Sequence, residues 1–196
     1  MPRPHPLYKP GSYYYFYNRS CSSRSPIFHH PADFLATLTK IQEVVHDLDL
    51  SMIAYCLMPN HYHFLVRQNG VSKAGLLPQL VFADSAMPYN RHYQPSDAIF
   101  EGSDKVKKIR QQNYLLHLCR YIHANPVKEK LVLQLEDWPY SNYLEWIGKR
   151  NELLVDPLFV QQYFGPAAEY RAFVMQYIQT SMLPTRIELF LQDLGV

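Results

Sequence analysis

Cysteine is scarce in this chain of 196 residues: Cys21, Cys56 and Cys119 stand far apart and form no Cys-x-x-Cys pair. That spacing speaks against a zinc ribbon and against a disulfide-stapled secreted scaffold, and it fits a reducing compartment. No apolar run is long enough to span a bilayer, and the proline-rich start Met1-Pro2-Arg3-Pro4-His5-Pro6 lacks the apolar core of a signal peptide. There is no internal repeat and no low-complexity segment. Strong charge of one sign is also missing, since 19 Lys and Arg against 17 Asp and Glu leave a formal net charge of +2. The expectation is a soluble cytoplasmic protein without a membrane partner, built as one domain or one domain with an appendage and able to bury about 70% of its unfolded surface.

The segment Cys56-Leu57-Met58-Pro59-Asn60-His61-Tyr62-His63-Phe64-Leu65-Val66-Arg67 is the most informative in the chain. The run Ile53 to Met58 and the run from His61 both read as strands, and Pro59-Asn60 supplies turn chemistry, so a tight antiparallel hairpin is expected. Strand side chains alternate, which points His61 and His63 to one face and Tyr62, Phe64 and Val66 to the other. Two imidazoles converging from one sheet face can hold a divalent metal. A His-x-His pair by itself is also compatible with two hydrogen-bonded or half-exposed histidines.

A helix is expected from about Tyr114, where Leu115, Leu118 and Ile122 recur at helical spacing and Leu116 and Cys119 widen the stripe. Tyr114, His117, Tyr121 and Asn125 fall on another face of it. Pro126 disfavours a helical Asn125, so the helix is expected to end about there, with Tyr121 in its last turn.

Met58-Pro59-Asn60-His61-Tyr62-His63, then Arg120-Tyr121-Ile122-His123-Ala124-Asn125-Pro126-Val127, then Asp137-Trp138-Pro139-Tyr140-Ser141-Asn142-Tyr143 together resemble the REP-associated tyrosine transposases. These are single-tyrosine transposases of the HUH nuclease superfamily, in which U is a bulky apolar residue, here Tyr62. Tyr14 to Arg19, Pro26-Ile27-Phe28, Asp156 to Val160 and Tyr170 to Val174 extend the resemblance over nearly the whole chain. It implies that His61 and His63 bind the metal, that Asn125 is the third ligand and that Tyr121 is the nucleophile. It implies Mg²⁺ or Mn²⁺ as cofactor. The activity implied is cleavage and strand transfer of single-stranded DNA beside hairpins, through a 5′-phosphotyrosine link. Single-stranded DNA with hairpin structure is then the partner, placing the protein with the nucleoid when bound, while dimerisation is left open.

Basic residues are bunched rather than spread. Lys105, Lys107, Lys108 and Arg110 precede the Tyr121 helix, Arg19 and Arg24 follow the first strand, and Arg120 stands beside the tyrosine. Interleaved with 16 tyrosines and 10 phenylalanines, they suit single strands, whose phosphates meet cations while splayed bases stack on rings. A solvated charge run is the ordinary alternative. The chain departs from the family at Phe100-Glu101-Gly102-Ser103-Asp104, where Ser103 replaces the usual arginine, and at Ser85 to Asn90, where Pro88 interrupts a helix. A hairpin-binding descendant without strand transfer therefore stands as the second reading. A metal hydrolase of small phosphoesters would need more acidic ligands than these motifs provide.

The coarse order is a strand near Ser12 to Arg19, a helix near Ala32 to Leu48, strands near Leu50 to Leu57 and His61 to Gln68, a helix from about Ser72, and a strand or arm near Ala98 to Ile109 before the Tyr121 helix. This is an α+β fold, a ferredoxin-like antiparallel sheet with helices packed on one face. Residues 1–150 would form the nuclease domain, with Trp138 to Ile147 a short packed helix. Residues 151–196 would form a helical extension docked on it, since Tyr163, Phe164, Tyr170, Phe173 and Tyr177 are too aromatic for a free linker.

Overall fold

A computed structural model describes residues 7–21, 26–83, 99–151 and 154–194. The elements run β1 (Tyr13–Arg19), α1 (Pro31–Asp47), β2 (Leu50–Met58), β3 (His61–Gln68), α2 (Leu76–Phe82), β4 (Lys105–Ile109), α3 (Gln112–Lys128), α4 (Tyr143–Trp146), α5 (Pro157–Tyr163), α6 (Ala167–Thr180) and α7 (Thr185–Leu194). The strands make a four-stranded antiparallel sheet in the order β2-β3-β1-β4, the ferredoxin-like arrangement. Arg24 and the Ser85 to Asn90 segment lie outside the described residues. Among the described residues no helix is long and apolar enough to cross a membrane.

One expectation needs correction: helices cover both faces of the sheet. β1, β2 and β3 are buried almost throughout, with aromatic or apolar side chains on both sides, which is the pattern of a sheet layered front and back. Tyr14, Phe16, Tyr55, Leu57, Tyr62, Phe64 and Val66 pack against Phe34, Ile41 and Val44 of α1 and Leu77 and Val81 of α2. The opposite face, with Tyr15, Tyr17, Ala54, Cys56 and Leu65, receives Leu115, Leu118 and Ile122 of α3, then Tyr170, Val174 and Tyr177 of α6 and Ile187 and Leu191 of α7. The ferredoxin-like helices do share one face; the Tyr121 helix and the C-terminal helices make the second layer.

A bulge between Met52 and Ala54 shifts the register of β2 against β3, and because strand periodicity is two, it moves Ala54 onto the α3 face. β2 is also an edge strand, and its outward polar groups are met by the segment after α3. Asn142 Oδ1 accepts from the Tyr55 N–H at 2.8 Å, the Leu57 N–H donates to the Tyr140 carbonyl at 2.9 Å, and the indoles of Trp138 and Trp146 donate to Leu57 and Ile53 carbonyls at 3.1 and 3.0 Å. Asp137-Trp138-Pro139-Tyr140-Ser141-Asn142-Tyr143 is thus the cover of an exposed edge. Asp137 closes a 3-10 turn from Leu135 and Tyr143–Trp146 forms one helical turn; between them the chain turns at Pro139-Tyr140 and is held to β2 at the Cys56–Ser141 bridge. Further along, Asp156 caps α5, its Oδ1 accepting from the Phe159 N–H at 3.0 Å, and Pro157 takes the first helical position.

α3 continues beyond its expected end. Asn125 and Pro126 are both inside the helix, which runs to Lys128 with Glu129 as its C-cap. A proline costs the helix one hydrogen bond and crowds the carbonyl four residues earlier. Here every residue from Ile122 to Pro126 is buried, so packing around this turn outweighs the local preference.

Candidate active site

The sheet register assembles the site. On the α3 face, Cys56, His63, Tyr17 and Lys105 form one row across the four strands, and Met58, His61 and Arg19 form the next. The two histidine rings stand 4.9 Å apart at 81°, and Tyr17 stacks on His63 at 5.1 Å. Tyr121 of α3 comes down onto His63, its ring 5.6 Å away and edge-on to it. Asn125, one turn later on the same helix face, donates from Nδ2 to the Tyr121 carbonyl at 2.9 Å, which leaves its oxygen as the donor atom it can offer a cation.

Each imidazole is gripped at Nδ1. Tyr15 Oη lies 2.8 Å from His63 Nδ1, and Asn60 Oδ1 lies 2.8 Å from His61 Nδ1. An Nδ1–H given to oxygen makes Nε2 the lone-pair atom, the second-neighbour arrangement found behind metal-bound histidines. His63 is fully buried, yet its Nε2 has no hydrogen-bond partner among the described residues. An orphaned buried ring nitrogen is costly unless something binds it. Burial, with the Arg19 charge second, lowers the His61 pKa from the usual 6.5 to about 4. Burial, then the neighbouring His61, holds His63 well below its usual value too, so both rings are neutral at pH 7. Their donor set, completed by an amide oxygen, fits a divalent cation. Among the described residues no three His, Cys, Asp or Glu side chains gather into a cage, so the amide is needed.

Tyr121 is half-buried, and burial, followed by the nearby Tyr177 and Tyr17, pushes its phenol above the usual 10. It is protonated at rest. Glu129, two turns after Tyr121, reaches the site from the rim: its Oε1 is 3.5 Å from His61 Nε2 and 44% of its side chain is exposed. Sequence reading passed over Glu129, Tyr15 and Asn60. The signal for Glu129 was present, since positions 121, 125 and 129 share one helix face; the role of Tyr15 depends on strand pairing across 48 residues.

The other expected positions divide. Arg19, Lys105 and Lys107 are on the histidine face, and the Lys105 ammonium sits 5.4 Å over the Tyr17 ring. Lys107 is already engaged, ion-paired with Asp193 and 4.9 Å over Phe190 of α7. Lys108 points to the opposite face, over Tyr14, and Arg110 is exposed just past β4. Arg120 does not join the site: it is buried, 4.4 Å over the Phe173 ring, and donates to the Met182 carbonyl at 3.2 Å. His117 packs beside Phe173 at 5.6 Å. His123 is buried between Tyr170 and Asn142, its Nε2 2.8 Å from Asn142 Oδ1. Tyr114 sits against Phe190, roughly 10 Å up the helix axis from Tyr121.

The chain is similar in structure to a REP-associated tyrosine transposase bound to a REP hairpin, with a TM-score of 0.63 and 21% sequence identity over 76% of this chain and 87% of that one. The two share a fold, as the motifs led one to expect. The sequence matches no protein-family model and no curated protein.

Proposed function

We propose that this protein cleaves and rejoins single-stranded DNA beside hairpins, through a 5′-phosphotyrosine on Tyr121. The observation that carries the reading is the convergence on one sheet face of His61, with its Nε2 facing outward from the Asn60 bond, His63, with its buried Nε2 unpartnered among the described residues, and Tyr121, whose ring stands edge-on to that of His63. The fold shared with a hairpin-bound tyrosine transposase supports it.

In this reading His61, His63 and Asn125 hold Mg²⁺ or Mn²⁺, which supplies Lewis-acid polarisation of the scissile phosphate. Tyr15 and Asn60 keep both Nε2 atoms as acceptors of that ion. Tyr121 Oη attacks phosphorus: the Oη–P bond forms, the P–O3′ bond breaks, and the phenol proton ends on the departing 3′ oxygen. The bond energy stays in the ester, so a 3′-hydroxyl of another strand can reverse the step without ATP. Because Tyr121 is protonated at rest and its pKa is raised by burial, attack waits on a phosphodiester that fills the site. Residues 1–150 act as the nuclease domain and 151–196 as its extension. Arg19 and Lys105, which flank the histidine rows, meet the strand's phosphates.

The test is a labelled hairpin with single-stranded flanks, incubated with the protein and Mn²⁺ and resolved under denaturing conditions. A covalent adduct is expected, and Tyr121→Phe, which keeps the ring packing, should eliminate it. An adduct mapped to Tyr114, or one that persists in Tyr121→Phe, would overturn the assignment. Tight hairpin binding with no cleavage by the parent protein would favour the alternative of a recognition protein without strand transfer.

A further inference from the structure

Two imidazoles and a carboxamide are all neutral ligands, so a divalent ion held by them alone would keep its full charge beside a buried face. One acidic group stands where that charge would be met. Glu129 Oε1 lies 3.5 Å from His61 Nε2, and the Asn60 oxygen at 2.8 Å from His61 Nδ1 makes Nε2 the lone-pair atom. A lone pair facing a carboxylate oxygen is repulsive until a proton or a cation sits between them. Two donors each about 2.1 Å from a common ion stand about 3.0 Å apart at a right angle and about 3.4 Å apart at a tetrahedral angle. The observed separation is that of neighbouring ligands.

We propose that Glu129 is the anionic ligand of this site, closing on the ion from the rim and biasing the site toward oxygen-preferring Mn²⁺ and Mg²⁺. The inference rests on the reading of His61 and His63 as ligands. α3 brings Tyr121, Asn125 and Glu129 down one face at successive turns, so a single helix delivers nucleophile, amide and carboxylate to the histidine rows. Imidazoles alone suit zinc, copper or nickel as well; a carboxylate oxygen shifts the donor set toward harder ions. Glu129 does not close a cage as it stands, but its side chain is 44% exposed and turns on three single bonds, so closure requires no movement of the core. Arg19, whose charge acts on both His61 and Glu129, supplies the balancing positive charge until a cation arrives.

Mn²⁺ titrated calorimetrically into the full chain separates the possibilities, using the parent, Glu129→Gln and His61→Ala. Glu129→Gln keeps shape and an amide oxygen while removing the charge, and it should weaken Mn²⁺ binding at least tenfold, leaving the metal-free melting temperature unchanged. Zn²⁺ binding should weaken less, which narrows the preference between the ions. Equal Mn²⁺ affinity in parent and Glu129→Gln, with binding lost in His61→Ala, would overturn this inference and leave the histidine site standing. Binding that survives His61→Ala, or no binding by the parent, would overturn the site itself and this proposal with it.

Discussion

Tyr15→Phe isolates one oxygen atom behind the histidines. Tyr15 is fully buried, its ring lies parallel to His63 at 6.0 Å and touches Phe190 at 6.2 Å, and phenylalanine would keep both contacts. What is lost is the bond of 2.8 Å to His63 Nδ1. His63 is itself fully buried, so its Nδ1 would have no water to turn to. Leaving one buried polar atom unpaired costs about 1–3 kcal/mol, and the urea midpoint should fall accordingly with the slope unchanged. The same oxygen selects the tautomer: accepting from Nδ1–H makes Nε2 a lone pair, whereas donating to Nδ1 would place a proton on Nε2 and close the site. If it accepts, Mn²⁺ affinity in Tyr15→Phe should drop about 10- to 100-fold, the range for removing a partner behind a ligating histidine, or about 1.4–2.8 kcal/mol. Calorimetric titration reads the affinity and urea unfolding the stability, on the same preparations. An Mn²⁺ affinity that holds or rises while stability falls would refute the tautomer argument and reduce Tyr15 to a packing residue.

Three further outcomes follow from the same geometry. His61 and His123 have folded pKa values lowered to about 4, and His63 is lowered as well. The unfolded chain therefore takes up protons first, so stability should be fully present above pH 6.5 and fall as pH drops toward 4; urea midpoints that do not change between pH 7.5 and 5 would contradict this. For DNA, Lys105→Gln should lower the salt slope of hairpin binding by about 0.7–0.9, one phosphate's share, whereas Lys108→Gln on the opposite face should leave it unchanged; equal slopes for both would place the DNA elsewhere. Asn142→Ala strips the acceptor from the Tyr55 N–H and from His123, and the donor to the Leu154 carbonyl, and should cost about 2–4 kcal/mol in urea unfolding; a loss under about 1 would mean that the edge of β2 is satisfied another way.

The strands and the hairpin were legible because their signals are local. Pro59-Asn60 turns β2 into β3, and alternation on β3 puts His61 and His63 on one face, as the sequence alone required. α1, β2 and β3 fall within two residues of their expected limits. Misreadings came where tertiary packing overrides local preference. Pro126 stays helical because its helix face is buried, and a sheet expected to carry helices on one side carries them on both because β1 is aromatic front and back. Side-chain destinations were the least legible. Arg120 stands beside Tyr121 in the sequence, but adjacent residues on a helix point about 100° apart, and its guanidinium goes to Phe173 and Met182.

The same distinction explains the Asp137 to Tyr143 motif, visible in the sequence as a likeness but without a physical role there. Its Asn142 carboxamide holds the free edge of β2 at Tyr55 and also meets His123 of α3 at 2.8 Å. His123 is two residues after Tyr121 and two before Asn125, on the opposite side of the helix from both. A bond from the sheet edge to that residue fixes the rotation of α3 about its own axis. Rotation is what decides whether Tyr121, Asn125 and Glu129 face the histidine rows, since one residue's slip turns a helix by about 100°. The edge cover and the candidate site are therefore one mechanical unit, in which a buried amide outside the histidine rows sets where Tyr121 points.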